Sequence, residues 1–133
     1  MDRRHVAYGR AQARRGEMRV LFVEDEADTR VLVAAGLEMH GFGVRLAEDG
    51  LAAIQALRED LFDLVVTDVS MPNGVSGIQV AEAAARLQPS ARVLIVSGYA
   101  PGQLPELPHG TRYLAKPYRT TELISTLRMM LEC

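Results

Sequence analysis

The stretch that decides the fold is residues 62–68, Phe62-Asp63-Leu64-Val65-Val66-Thr67-Asp68. Four of its seven residues are aliphatic or aromatic, with Leu64, Val65 and Val66 consecutive, and this pattern is typical of a strand covered on both faces. It ends abruptly on a carboxylate. Four other short segments also indicate strands: residues 19–23, 43–47, 91–96 and 111–115. The strand pattern of residues 43–47 is the weaker one, and this strand is expected at a sheet edge.

Helical segments separate most of these strands. Gly41 is expected to end the first helix, Asp49 to cap the second and Ser76 to cap the third, which stops before Pro89. The last helix is expected to begin near Thr120 or Thr121. The apolar positions assigned to helix faces are Val31, Leu32, Ala35 and Met39; Leu51, Ile54 and Leu57; Ile78, Ala81, Ala85 and Leu87; and Leu123, Ile124, Leu127, Met130 and Leu131.

Alternation of strands and helices predicts parallel pairing through right-handed crossovers. The fold class is therefore α/β, a doubly wound five-stranded parallel sheet. One connection departs from this alternation, because Pro101, Pro105 and Pro108 lie between the fourth and fifth strands. Prolines at this density exclude a regular multi-turn helix, so the fourth helix is expected to be shortened or missing.

Length and composition narrow the function classes. A chain of 133 residues with 48% apolar residues suits one domain, assigned to residues 18–133. Residues 1–17 carry five arginines against two acidic residues and predict a flexible basic arm. The apolar stretches are short and broken by charges, so no membrane span is expected and a cytoplasmic location is the default. The acidic body argues against nucleic-acid binding.

Polar side chains follow four of the five strands. Glu24 and Asp25 follow the first strand, Asp68 ends the third, and Ser97 and Lys116 follow the fourth and fifth. In an open α/β sheet, ligands bind beyond the carboxyl ends of the strands. Three carboxylates meeting there would repel each other unless a hard cation such as Mg²⁺ lies between them. The alternative is that Asp25 or Glu26 merely caps the following helix and that Asp68 begins a turn.

Asp68 has a second potential role at such a site. A carboxylate beside Mg²⁺ can attack phosphorus, and phosphoryl transfer then needs charge compensation on the transferred oxygens. The Lys116 ammonium and the Ser97 hydroxyl are suited to that task. Lys116 is also the single lysine among fifteen basic residues, and its compact charge differs from the planar guanidinium of the fourteen arginines.

Four motifs at these strand ends resemble the receiver domain of two-component response regulators. They are residues 21–26 (LFVEDE), 65–72 (VVTDVSMP), 95–99 (IVSGY) and 113–117 (YLAKP). The resemblance covers roughly residues 18–131 and implies a flavodoxin-like sheet. It implies a switch rather than an enzyme with a separate substrate, and phosphorylation of Asp68 by a histidine kinase or a histidine phosphotransfer protein.

The resemblance also implies individual roles. Asp25 and Asp68 would bind Mg²⁺ directly, Glu24 would act through water, and the backbone carbonyl of Ser70 would complete the protein ligands. On phosphorylation, the Ser97 hydroxyl would move toward the phosphoryl group and Tyr113 would turn inward. For Tyr113, an ordinary half-buried strand tyrosine is the alternative.

Three features depart from the usual receiver pattern. The loop at residues 73–77 (NGVSG) is one residue longer than the commonest form, and together with residues 97–100 it is similar to receivers of hybrid sensor kinases or stand-alone regulators. The helix between strands four and five is expected to be shortened or missing. The chain ends at Cys133 without a DNA-binding domain, so an unidentified downstream protein and a monomer or weak dimer are expected.

Two other functions stay open. One is a binding module that keeps the fold without phosphorylation. The other is an aspartate-nucleophile phosphatase, although such enzymes usually place a second acid two residues after the nucleophile, where this chain has Ser70.

Overall fold

A computed structural model of the protein describes residues 16–71 and 73–132. The predicted basic arm, except for Gly16 and Glu17, lies outside the described residues, as do Pro72 and Cys133. The elements, in chain order, are β1 Arg19–Val23, α1 Ala27–Met39, β2 Gly43–Ala47, α2 Gly50–Glu59, β3 Leu64–Asp68, α3 Gly77–Leu87, β4 Arg92–Ser97, a 3₁₀ turn Pro101–Gln103, β5 Arg112–Ala115 and α4 Thr120–Glu132.

The strands form one parallel sheet in the order β2-β1-β3-β4-β5. This confirms the predicted fold, and the weakly apolar β2 lies at an edge as expected. Val23 is in register with Thr67, and Asp68 with Val96. Because Ser97 is in turn level with Ala115, the carboxyl ends of β1, β3, β4 and β5 finish at the same edge of the sheet.

Helices cover both faces of the sheet. On one face, α2 and α3 pack over Leu21, Val65 and Ile95. On the other, α1 and α4 pack over Phe22, Val66 and Leu94. These alternating positions of β1, β3 and β4 are buried on either side, which explains why the strands are apolar without interruption.

The core face predicted for α1 is wrong. Val31, Leu32 and Met39 expose 64%, 69% and 83% of their surface, and Ala35 is exposed as well. The helix instead buries Val33, Ala34 and Leu37. Residues 31–35 are apolar without a break, so the spacing of apolar residues could not decide which face turns inward.

The faces predicted for α2 and α3 are only partly right. Leu57 and Ala81 are buried, and Ile54 and Ile78 are half-buried. Leu51, Ala85 and Leu87 are exposed, and alanines take the inward positions: Ala53 and Ala56 in α2 and Ala83 and Ala84 in α3. Small side chains let these helices lie close to the sheet. In α4 the predicted stripe is confirmed, with Leu131 half-buried at its end.

The proline-rich connection forms no regular helix beyond the 3₁₀ turn at Pro101–Gln103. This confirms the prediction that the helix between the fourth and fifth strands is shortened or missing. Leu104 and Leu107 pack against the core cluster that also contains α2 and α3, so this extended segment covers part of that side of the sheet. Within the described ranges, no helix is long and apolar enough to cross a membrane.

Candidate functional site

Three carboxylates converge where β1 and β3 end. One oxygen from each of Glu24, Asp25 and Asp68 lies within 4.8 Å of the other two. Glu24 and Asp68 are buried and Asp25 is exposed, so the cluster opens to solvent on one side. Such closely spaced negative charges repel one another, and an all-oxygen donor set is the kind that Mg²⁺ prefers. The donors present therefore fit a hard divalent cation.

The helix cap that the sequence allowed at Asp25 or Glu26 lies on Glu26, beside this cluster. Glu26 caps α1, since its carboxylate accepts hydrogen bonds from the backbone N–H of Thr29, at 2.7 Å, and from the Thr29 hydroxyl. Glu24 and Asp25 are not occupied by capping and remain directed to the site.

Lys116 pairs with Asp68. Its ammonium donates to Oδ2 of Asp68, and the two side chains are 35% and 11% exposed. Partial burial opposes the charged form of Lys116, but the hydrogen bond and the negative charges of Asp68, Glu24 and Asp25 outweigh it and raise the pKa of the amine. Lys116 therefore stays protonated and offsets part of the negative charge of the cluster.

Glu24 is held by the backbone around it. Its N–H donates to the carbonyl of Ala47 at 3.0 Å, and its Oε2 accepts from the N–H of Glu26 at 3.0 Å. Burial raises the pKa of Glu24 despite that hydrogen bond and the nearby Lys116. The ionised cluster is thus under electrostatic strain that a bound cation would relieve.

We expect Glu24→Gln to stabilise the metal-free protein at neutral pH and to flatten its pH dependence. Folding raises the pKa of Glu24, so just above the ordinary carboxyl pKa the folded protein holds more protons than the unfolded chain. The free energy of unfolding therefore falls as pH rises through this range. A glutamine oxygen can still accept from Glu26. Urea unfolding in EDTA at about pH 5 and about pH 8 measures the effect. The exposed Glu82→Gln serves as control, and an unchanged pH dependence in Glu24→Gln would contradict the prediction.

The backbone after Asp68 turns tightly around its carboxylate. The N–H of Ser70 points to Oδ1 of Asp68 at 3.3 Å, and Gly77 donates its N–H to the carbonyl of Val69 at 2.8 Å. Gly77 also lies directly against the Asp68 backbone: a Cβ there would come within 1.9 Å of the Asp68 carbonyl oxygen. Only glycine permits this approach. The Ser70 carbonyl as a metal ligand stays a prediction.

Ser97 and Tyr113 form a hydrogen-bonded group at the ends of β4 and β5. The Ser97 hydroxyl accepts from the N–H of Tyr99 at 2.9 Å, and the Ser97 carbonyl accepts from the N–H of Lys116 at 2.8 Å. The half-buried Tyr113 donates its hydroxyl to the carbonyl of Tyr99 and lies 3.4 Å from that of Ser97. Ser97 is 1% exposed, so its hydroxyl lies in the protein interior.

Two neighbours of the site were missed by sequence reasoning. The Arg30 guanidinium reaches back from α1 to the carbonyls of Glu24, at 2.9 Å, and Asp25, at 3.4 Å, and so holds the turn that carries both acids. Burial, with the added charges of Glu24 and Asp68, raises the pKa of Tyr118 to about 12. A basic residue one turn into a helix after an acidic strand end was the available signal for Arg30. For Tyr118 the signal was its position two residues after Lys116.

Comparison with known proteins agrees with this geometry. Residues 20–128 match the response regulator receiver domain family. The chain is 30% identical over 116 residues to the response regulator receiver protein CpdR of Brucella abortus, which covers 85% of this chain and 96% of CpdR. Other relatives are longer: the chain is 34% identical to the transcriptional regulatory protein TcrA of Mycobacterium tuberculosis but spans 49% of its length.

Solved structures lead to the same result. The receiver domain of the hybrid histidine kinase CckA superposes with a TM-score of 0.74 at 32% identity, covering 85% of this chain and 98% of the domain. The response regulator TrrA of Thermotoga maritima, solved with Mg²⁺ and BeF, superposes with a TM-score of 0.76 at 26% identity, covering 85% of this chain and 98% of TrrA.

Proposed function

Since the chain belongs to the response regulator receiver domain family, a class of two-component signalling switches, we propose that it is switched by phosphorylation of Asp68. The observation that carries the proposal is the ion pair between Lys116 and the buried Asp68, set beside the carboxylates of Glu24 and Asp25. A structural aspartate needs one counter-ion, whereas this one lies among a surplus of negative charge open to solvent.

The metal-binding residues we propose are Asp25, Asp68 and the Ser70 carbonyl, with Glu24 acting through water. The convergence of the three carboxylates supports this assignment, as does the Mg²⁺ in the complex of TrrA. Bound Mg²⁺ would supply charge neutralisation for a phosphoryl oxygen.

Side chains of the protein carry out the phosphoryl transfer itself. An Asp68 carboxylate oxygen attacks the phosphorus of a donor phosphohistidine, the O–P bond forms as the N–P bond breaks, and the histidine nitrogen regains a proton from solvent. Lys116 offsets negative charge on the transferred oxygens, and the Ser97 hydroxyl donates to one of them. Hydrolysis of the acyl phosphate returns Asp68 to its starting state, so the chain acts catalytically only on itself.

The switch we propose runs from Ser97 to Tyr113. Its basis is the shared hydrogen bonding of both residues with Tyr99. If the Ser97 hydroxyl turns toward a phosphoryl group, it releases the N–H of Tyr99, and the loop that Tyr113 holds by its hydroxyl shifts with it. The change reaches the surface at the exposed side chain of Tyr99.

The partners we propose are a histidine kinase or histidine phosphotransfer protein as donor and an unidentified protein as output. The apolar face that α1 leaves exposed, with Val31, Leu32 and Met39, begins one turn after the acidic cluster. A donor that delivers a phosphohistidine to Asp68 must approach this surface, and burial of these side chains would stabilise the encounter.

The test is covalent labelling with acetyl phosphate. With Mg²⁺, wild type is expected to gain one phosphoryl group, located at Asp68 by peptide mass spectrometry, and Asp68→Asn and EDTA-treated protein to gain none. A folded wild-type protein that neither reacts with acetyl phosphate nor binds beryllofluoride would favour the unphosphorylated binding module. Multiple turnovers of a chromogenic phosphate ester would favour the phosphatase.

A further inference from the structure

The loop that follows Asp68 is tied to a part of the chain outside the phosphorylation site. Asn73 donates from its side-chain Nδ2 to Oδ2 of Asp49 at 2.7 Å. The other oxygen of Asp49 accepts from the N–H of Ala52 at 2.8 Å and caps α2. One carboxylate therefore joins the start of α2 to the loop between β3 and α3.

The backbone of Asn73 is arranged for this contact. Its φ of 68° is in the left-handed region, where asparagine is one of the few non-glycine residues found regularly. Two residues later, Val75 rests on the start of α2: a Cβ on Gly50 would lie 2.4 Å from Cγ1 and 2.6 Å from the carbonyl oxygen of Val75. The loop thus has one polar and one apolar contact with the same short segment.

The same loop contacts Asp68 at both of its ends. At its beginning, the Ser70 N–H has only a long 3.3 Å contact with the Asp68 carboxylate. At its end, Gly77 is fixed against the Asp68 backbone. Asn73 and Val75 therefore hold the middle of the loop. If the Asn73 contact is lost, Gly77 stays packed against the Asp68 backbone, whereas Ser70 keeps only its long hydrogen bond.

We propose that Asn73 and Asp49 form a latch that positions the loop residues 69–71 and 73–76 for cation binding and phosphorylation at Asp68. Both are positioning residues, because neither belongs to the carboxylate cluster itself. This inference rests on the proposed function of Asp68. It assigns a role to the loop at residues 73–77, in which the Asn73 side chain contacts the α2 cap.

The latch can be tested by exchanging its two side chains. Asn73→Asp places a second carboxylate against Asp49, and their repulsion is expected to weaken Mg²⁺ binding and slow acetyl phosphate labelling about three- to tenfold. Asp49→Asn is expected to have a smaller effect, because an asparagine can still cap α2 and the Asn73 amide can rotate to accept from it. The double variant Asn73→Asp/Asp49→Asn restores a carboxylate–amide pair and is expected to recover wild-type values.

Two controls separate the latch from charge and from folding. Ala85→Glu adds the same charge on the exposed side of α3, and it should leave Mg²⁺ binding, measured by calorimetry, within twofold of wild type. Urea midpoints of all variants report stability. Wild-type binding and labelling in Asn73→Asp, or a double variant as impaired as Asn73→Asp, would overturn the latch.

Hydrogen exchange of the metal-free protein keeps this test independent of the proposed function. Asn73→Asp is expected to accelerate amide exchange in residues 69–71 and 73–77, with recovery in the double variant. If wild type accepts no phosphoryl group, the proposed function fails, and this exchange pattern alone decides whether the two residues hold the loop. Equal exchange in all variants would refute the contact.

Discussion

Gly77→Ala is expected to slow phosphorylation of Asp68 by about a hundredfold and to destabilise the protein by about 2–4 kcal/mol. The added Cβ would lie 1.9 Å from the Asp68 carbonyl oxygen, 2.7 Å from its carbonyl carbon and 2.9 Å from the Cα of Val69. All three are backbone atoms, so no side-chain rotation can relieve the clash. Asp68 must move, and a displacement of about 1 Å of a reacting group can cost about a hundredfold in rate.

Acetyl phosphate labelling and urea unfolding measure the two effects of Gly77→Ala. Gly102→Ala is the matched control, because a Cβ at Gly102 meets no atom within 4 Å. If the variant unfolds near wild-type denaturant concentrations and still labels within threefold of the wild-type rate, the close approach of α3 to Asp68 is not required.

Lys116→Arg is expected to leave Asp68 able to accept a phosphoryl group but to prevent the response at Tyr113. Lys116 contacts Asp68 through its ammonium and Ser97 through its backbone N–H, so it lies between the phosphoacceptor and the proposed switch. A guanidinium keeps the charge but is larger, planar and forked, and it cannot occupy the same point against a single carboxylate oxygen. Labelling should therefore persist, slowed by about tenfold or less.

Beryllofluoride titration followed by amide NMR measures the response to Lys116→Arg without a known output partner. In wild type, the signals of Ser97, Tyr99 and Tyr113 should shift together on binding. In the variant, signals near Asp68 should shift while that of Tyr113 stays in place, and Arg119→Lys, at an exposed position, should behave as wild type. A wild-type Tyr113 shift in Lys116→Arg would make the single lysine an accident of composition.

The sheet and the strand-end residues could be predicted because their signals are local. Continuous apolar runs such as residues 64–66 mark strands buried on both faces, and parallel crossovers require their carboxyl ends to meet at one edge. Asp68 and Lys116 were therefore expected near each other although 48 positions separate them.

Helix orientation and the fine structure of the site could not be predicted in this way. Leu32 and Leu37 are equally apolar, yet Leu32 is 69% exposed and Leu37 fully buried, because the position of α4 and the sheet decides which side of α1 is covered. The spacing of apolar residues within one helix does not show which elements pack against that helix.

The sequence by itself determined the order of strands and helices, the loss of the helix in the proline-rich connection and the polar residues at one edge of the sheet. Only the tertiary structure decided what surrounds that edge: the Asn73–Asp49 contact, the Arg30 hydrogen bonds to the acidic turn and the requirement for glycine at position 77. Backbone periodicity is a property of neighbouring residues. A close approach between separate segments depends on how the whole chain packs.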